Sequence, residues 1–393
     1  MAESKLNKVG YELDSINIVQ TTCSDIKHRF ECDPMIEMCD RQVYPVIVAP
    51  MGAVTNENNY KVWLENNFIC VVPRTVDFDK RIEISKETFA SFSLDEAEKL
   101  LSKSLNDGIK HYVCIDIAHG TMDRLYDVCK KLKMKFKRNL EIMTGNVANP
   151  DAYPFYANAG IDYMRSSVGS GSRCTTSVNS GPHYPLASLI DELRMRKEAW
   201  DSNFTPKDYQ PVDFTKIIVD GGISNFDGIQ KSLALGAYAV MAGQIFAKAE
   251  EACEPIVYLH PDKPNMADAI SKDDYFRILK GLEDQVDVSP YRDDRKQEEL
   301  AAAISKLKQR KPYREYYGMS TKKAQKITGG SGTKTSEGIS RPVPVEYPIA
   351  KWAENMSDYL KSCKSYTGCR TIDQFRRETE LIVKLSGNQS YWK

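Results

Sequence analysis

The run Lys216-Ile217-Ile218-Val219-Asp220-Gly221-Gly222 decides how the rest of the chain is read. Three consecutive β-branched apolar residues suit a strand buried on both faces, as in a parallel sheet. An acidic residue and two glycines then mark a tight turn into a helix. The next such run, Ala237–Ala242, ends the same way at Gly243-Gln244. Working outward, similar runs lie near Val46–Pro50, Phe68–Pro73, Thr88–Phe92, His111–Ile117, Leu140–Gly145 and Asp162–Ser167. Helical patterns fall between them at Asn56–Asn66, Leu94–Asn106, Thr121–Lys137, Asp151–Ala159 and Asn225–Leu235. Apolar strands alternating with helices predict an α/β fold, and eight strands favour the (β/α)8 TIM barrel. The alternative is an open doubly wound sheet, but no G-x-G-x-x-G follows the early strands.

In such a barrel the functional residues gather at the C-terminal ends of the strands. Those ends read Pro50-Met51-Gly52, Pro73-Arg74, Asp116-Ile117-Ala118-His119-Gly120, Gly145-Asn146, Gly169 to Cys174, Asp220-Gly221-Gly222 and Gly243-Gln244. Within Gly169-Ser170-Gly171-Ser172-Arg173-Cys174-Thr175-Thr176, a cysteine closes a glycine-rich loop. N–H groups and hydroxyls around such a thiol favour the thiolate and make it a candidate nucleophile. The plainer reading is a flexible turn with Cys174 as filler. Asp-Gly-Gly and Gly-Gln in succession suit a nucleoside monophosphate, with the backbone cradling phosphate and Asp220 accepting ribose hydroxyls. Each turn alone is equally an ordinary strand-to-helix connection. Asp116 reads as an orienter of a substrate or cofactor amide, or as a helix N-cap.

The chain has 393 residues, 41% hydrophobic and 27% charged, with a formal net charge of zero. That balance provides no field for nucleic acid or an anionic membrane. No apolar stretch approaches the roughly 20 residues that span a bilayer, and Met1 to Lys8 does not read as a signal peptide. The expectation is a soluble, cytoplasmic protein with no nucleic-acid or membrane partner. Ten scattered cysteines without a C-x-x-C pair read as reduced. Five histidines and no H-E-x-x-H argue against a catalytic zinc site.

The organisation expected is a single barrel domain over residues 1–393. It carries a polar helical insertion at 259–311, a mobile flap at 320–338 and a C-terminal helical segment at 349–393. The insertion reads as two helices, Ser271–Gln285 with Ser271 and Asp274 as a capping pair, and Pro290–Gln309. Asp191–Lys216 is longer than a barrel connection needs. Thr328 to Gly338, rich in glycine and serine, reads as a flap or linker.

Taken together these pieces resemble the IMP dehydrogenase/GMP reductase family. The cysteine loop looks like its catalytic loop, G-x-G-S-x-C-x-T, and Ile217 to Ser224 and Val240 to Gly243 look like its phosphate-binding strands. Tyr316-Tyr317-Gly318-Met319-Ser320 and Ser336-Glu337-Gly338 also have counterparts, and the likeness covers residues 11–258 and 313–385. Nothing between Phe68 and His111 has the size of the family's CBS regulatory domains. The stretch from Met319 to Glu337 holds neither Arg nor Tyr, so the likeness is greatest to the reductase branch.

That resemblance implies NADPH-dependent reductive deamination of GMP to IMP, with Cys174 bonded to purine C2 and Thr176 and Glu337 relaying the proton. It further implies substrate contacts from Ser172, Asp220, Gly221, Gly222, Gly243, Gln244, Gly318, Met319 and Ser320. Asp116, Ala118, Asn146 and Arg74 would face the cofactor. Carbonyls of Gly169, Gly171 and Cys174 would form a potassium (K+) site, and the assembly would be a homotetramer. Two alternatives stay open: oxidation of IMP or a related purine nucleotide with NAD, or a non-catalytic purine nucleotide-binding or assembly protein.

Overall fold

The structure, a computed structural model, describes residues 8–103, 105, 108–169, 179–203, 215–287, 294–319, 321–328 and 338–384. Eight parallel strands form its central sheet: Val46–Val48, Val71–Val72, Phe89–Phe92, His111–Asp116, Leu140–Val147, Tyr163–Ser166, Lys216–Asp220 and Ala239–Ala242. The first pairs with the eighth through Val46–Val240 to Val48–Ala242. On its other side it meets the chain entering the second strand, with a parallel bridge from Val48 to Cys70 and Val48 N–H donating to Ile69 O at 2.9 Å. The ring is closed. This is the (β/α)8 TIM barrel that the apolar runs predict; seven of the eight strands fall inside their expected intervals, and the fifth starts where expected at Leu140 but runs on past Gly145 to Val147.

Helices Tyr60–Glu65, Phe78–Ile84, Leu94–Leu100, Asp123–Phe136, Tyr153–Asn158, Leu186–Asn203 and Phe226–Ala234 follow the first seven strands. Ser93 starts the third with a reciprocal capping box to Glu96, which satisfies two N–H groups the helix itself leaves open. The long helix Ile349–Thr367 covers another side of the wall, where Trp352 packs on Phe68, Phe226 and Phe246.

Several boundaries differ from those the sequence suggests. Half of the stretch Asp191–Lys216 is the body of helix Leu186–Asn203, a wall helix that begins earlier than its polar face indicates, and residues 204–214 lie outside the described residues. Phe78–Ile84 gave too short a pattern to find, although Asp77 caps it by accepting from Asp79 and Lys80 N–H. The helix expected from Asn56 begins at Tyr60, because Asn56 to Asn59 form a turn in which Asn59 Nδ2 donates to Val54 O and Glu251 O. The C-terminal segment is not wholly helical. Gly368, at φ 73°, ends one helix before Ile372–Glu378, and Leu381–Val383 pairs antiparallel with Ile16–Ile18.

The insertion does contain two helices, Lys272–Asp287 and Asp294–Lys308, and Ser271 Oγ accepts from Asp274 N–H at 3.1 Å. Its root is a four-stranded antiparallel sheet built from Val257–Leu259, Ile270–Ser271, Lys311–Tyr317 and Ser340–Pro344. The flap range 320–338 contributes helix Lys322–Ile327, and residues 329–337 lie outside the described residues. Among the described residues no helix is long and apolar enough to cross a membrane.

The N-terminal end of the barrel is plugged by a hairpin, Ile36–Met38 with Arg41–Val43. Its turn residues Cys39 and Asp40 both lie at φ 54°. Asp40 accepts from Lys110 Nζ at 2.7 Å and Tyr112 Oη at 2.9 Å. Glu141 accepts from Lys110 at 3.1 Å and from Tyr163 Oη at 3.1 Å.

A second set of contacts holds the N-terminal arm on the C-terminal helices. Asp33 N–H donates to Arg370 O at 2.7 Å, and Lys364 Nζ, fully buried, donates to Asp33 O. Burial disfavours the Lys364 ammonium and lowers its pKa to about 8, although Cys32, Asp33 and Cys369 nearby oppose the shift. The unfolded chain, with Lys364 titrating near 10.5, therefore binds more protons than the folded one between these values. Stability contributed by this site rises as pH increases through that window and is lowest below it. Lys364→Met is expected to raise Tm at neutral pH by on the order of 2–4 °C. Thermal unfolding of both proteins should show that advantage shrinking as the pH approaches about 10.

Candidate active site at the barrel mouth

The centre of the mouth is a buried arginine that sequence reasoning did not single out. Arg165, on the sixth strand, has a side chain only 5% exposed. Its Nη1 donates to Asp116 Oδ1 at 2.7 Å, and its Nη2 and Nε donate to Asp220 Oδ2 at 2.6 and 3.2 Å. Asn146 Nδ2 adds a further donor to Asp220 Oδ2 at 2.7 Å. Burial works against the guanidinium charge, but Asp220, Cys114 and Asp116 outweigh it and raise the Arg165 pKa well above its ordinary value. The signal was present in the sequence: a charged residue inside the apolar run Ile161–Val168 has to be paired when buried.

The local backbone is shaped to make this fit. Gly145 has φ 151°, and a Cβ there would lie 2.2 Å from Arg165 O, so only glycine lets the fifth and sixth strands approach here. Ile117 N–H bonds to Gly145 O at 3.2 Å and Asn146 N–H to Ile117 O at 2.8 Å, fixing Asn146 beside the Asp116 strand. Ser167 is a non-glycine residue at φ 106°, buried, and its Oγ has no partner among the described residues. Such strain persists only where surrounding contacts over-determine the backbone.

Arg74 stands at the rim with Nε 3.9 Å from Asp116 Oδ2. That Nε is buried and has no hydrogen-bond partner among the described residues. Ala118 is exposed on the same rim. On the next two strands, Gly221 and Gly222 lie at φ 95° and 78°, conformations that support the expected tight turn after Asp220. Gly243 precedes the short helix Gln244–Ala247, and a Cβ on it would meet Tyr316 Oη at 2.3 Å and Met51 Sδ at 2.5 Å. Tyr316 Oη in turn donates to Met51 Sδ at 3.2 Å. Thus Gly318 and Met319 follow a strand whose tyrosine closes on the Gly243 turn.

The fold therefore brings Asp116, Asn146, Arg74 and Asp220 to one mouth with the glycine turns after the seventh and eighth strands. Gly169 is described, at φ 76°. Ser172, Cys174, Thr176, Gly171, Ser320 and Glu337 lie outside the described residues. Seven of the other thiols are poor nucleophile candidates because burial disfavours their thiolates. Burial pushes Cys70, Cys114, Cys253 and Cys363 up to about 12 and raises Cys32, Cys39 and Cys129 as well. No group of three His, Cys, Asp or Glu side chains suited to a metal occurs among the described residues.

Removing Arg165 leaves the part-buried Asp220 without its counter-charge and Asp116 with only the more distant Arg74, at 3.9 Å. Arg165→Met is expected to cost about 3–5 kcal/mol of stability. Arg165→Lys, which keeps the charge but loses the fork, should cost less. Denaturant unfolding of both variants measures the difference.

Comparison with known proteins agrees with this geometry. A family model described as "IMP dehydrogenase / GMP reductase domain" matches residues 87–264, from the third strand past the eighth. Among curated relatives the chain is similar to GMP reductases of Staphylococcus aureus strains Newman and USA300. It is 30% identical to each over 258 residues, covering 61% of this chain and 72% of the relative. A GMP reductase of strain JH9 matches over the same shares. The chain belongs to the IMP dehydrogenase/GMP reductase family.

Proposed function

We propose that this protein is a GMP reductase that converts GMP to IMP and ammonia at the expense of NADPH. The observation that carries this reading is its similarity to curated GMP reductases over 72% of their length. The mouth geometry is compatible with it. In this reading Cys174, as thiolate, attacks C2 of the guanine ring. The C2–amine bond breaks, and because an amine leaves readily only when protonated, a proton donor is needed. Thr176 and Glu337 relay that proton. NADPH, when bound, supplies the hydride that C2 requires. The C2–sulfur bond then breaks, releasing IMP and the thiolate.

Asp220 holds the ribose. Its Oδ2 is taken by Arg165 and Asn146, while Oδ1 accepts no hydrogen bond from the described residues and would accept a hydroxyl. Gly221, Gly222, Gly243 and Ser172 cradle the phosphate through backbone N–H groups and a hydroxyl, and Gln244, Gly318, Met319 and Ser320 complete the substrate pocket. Asp116, Ala118, Asn146 and Arg74 line the cofactor side. The buried Arg74 Nε, which has no hydrogen-bond partner among the described residues, fits a polar cofactor group, as does the nearby Asp116 carboxylate. Carbonyls of Gly169, Gly171 and Cys174 would hold K+. The protein is proposed to be cytoplasmic and to work as a homotetramer.

The test is an assay of purified protein with GMP and NADPH, following loss of nicotinamide absorbance, against a parallel assay with IMP and NAD. Turnover is expected only in the first. Cys174→Ala is expected to reduce it by about 10³-fold or more. NADPH consumption that survives this substitution overturns the covalent mechanism, and NADH formation from IMP overturns the direction of reaction.

A further inference from the structure

His183 joins three parts of the fold that are distant in sequence. Its Nδ1 lies 3.2 Å from Val168 O, and its Nε2 lies 2.9 Å from Glu12 Oε1. Val168 leaves the sixth barrel strand six residues before Cys174, and His183 follows Cys174 by nine. The bond from Nδ1 thus closes the base of the segment that carries the cysteine. The other oxygen of Glu12 accepts from Leu186 N–H at 2.9 Å, at the start of helix Leu186–Asn203. Tyr11 on the same arm exchanges bonds with Ser188, Tyr11 N–H to Ser188 Oγ at 2.8 Å and Ser188 N–H to Tyr11 O at 3.1 Å. The arm is therefore a fixed wall against which His183 is held.

A carbonyl and a carboxylate only accept, so both ring nitrogens must donate for both contacts to form. Only the imidazolium does that. We propose that His183 is a positioning residue which, as imidazolium, latches the base of the cysteine loop between Val168 O and Glu12. The latch holds at low pH and releases when the ring loses a proton. Its bearing on turnover rests on the reading of Cys174 as nucleophile.

The direction of titration agrees with the geometry. The Glu12 hydrogen bond raises the His183 pKa above its ordinary value, partial burial opposes it, and the Val168 carbonyl adds to the rise. Among the described residues, Glu12 is the charged group facing the ring. The other ionisable groups of the neighbourhood are occupied with each other: Tyr184 Oη donates to Glu192 at 2.5 Å and Lys8 Nζ pairs with Glu192 at 2.9 Å. For a histidine with a raised folded pKa the stabilising contact is complete below the unfolded value. It is lost as pH rises through the folded value.

Three measurements on the full chain test this. In an NMR titration, with His183→Gln assigning the resonance, His183 is expected to titrate above its ordinary value, and Glu12→Gln to lower it. In hydrogen–deuterium exchange, corrected for intrinsic rate, peptides spanning 168–183 should exchange two- to ten-fold faster at about pH 8.5 than at about pH 6. That ratio is on the order expected for the loss of a net hydrogen bond. His183→Gln should remove the pH dependence, and Glu12→Gln should move it to lower pH. In the wild-type protein kcat/KM with GMP and NADPH should carry an alkaline limb that moves with the exchange transition in Glu12→Gln. A His183 titration at or below its ordinary value, or exchange indifferent to pH and to His183→Gln, overturns the latch. Absence of turnover alongside the expected titration and exchange supports the latch and overturns the reductase reading alone.

Discussion

The mouth of this barrel depends on one buried guanidinium. Isolated in the interior, the Arg165 charge would cost several kcal/mol of desolvation. It is tolerated because Asp116 and Asp220 meet it from the fourth and seventh strands at 2.7 and 2.6 Å. Asn146, from the fifth strand, satisfies part of Asp220. Four strands of the ring are thereby registered to one another at their C-terminal ends by charge-assisted hydrogen bonds, the stronger kind. The arrangement also sets what a ligand can use, since the carboxylate atoms facing Arg165 are already engaged. Gly145 belongs to the same constraint, because a side chain there would collide with the Arg165 backbone.

Both ends of the barrel are held by charged networks. At the sealed end, Asp40, Lys110, Glu141, Tyr112 and Tyr163 form a network between a plug hairpin and the strand starts. The interior between the ends does not favour thiolates. Cys114, beside Arg165 Nη1 at 3.5 Å, is still pushed up to about 12 by burial. An attractive cation does not overcome desolvation at that depth. A nucleophilic thiol in this chain needs polar surroundings, which the glycines and hydroxyl residues flanking Cys174 in the sequence are expected to supply.

The eight strands were legible because parallel barrel strands are buried on both faces and read as largely apolar runs. The rim was legible because Gly, Asp and Asn cluster where those runs stop. Helix limits were less so. Asn59 turns its amide back onto Val54 O and Glu251 O, delaying a helix that composition alone would begin earlier. The sheet at the root of the insertion was hidden because Val257–Leu259 and Lys311–Tyr317 are separated by two helices, and no local pattern reports such pairing. Arg165 was missed for a different reason. It was counted as part of a strand rather than as a charge needing partners, and those partners lie 49 and 55 residues away.

In the proposed reading, the charge balance of the mouth would separate the places where different parts of a nucleotide bind. Asp116 and Asp220 carry two negative charges, and Arg165 and Arg74 two positive ones, with Arg74 Nε 3.9 Å from Asp116. The cluster has no net formal charge, so it gives a phosphate dianion little attraction and places carboxylates near it. A phosphate is better served by uncharged backbone N–H groups at a turn without side chains. Gly221 and Gly222 provide such a turn at φ 95° and 78°, and Gly243 provides another where any Cβ would press on Tyr316 and Met51. The hydroxyl- and amide-bearing parts of a ligand then fall to the carboxylates, whose fixed acceptors suit neutral donors. The physical case for phosphate on the glycine turns and ribose at Asp220 rests on this separation of neutral cradle from compensated charge.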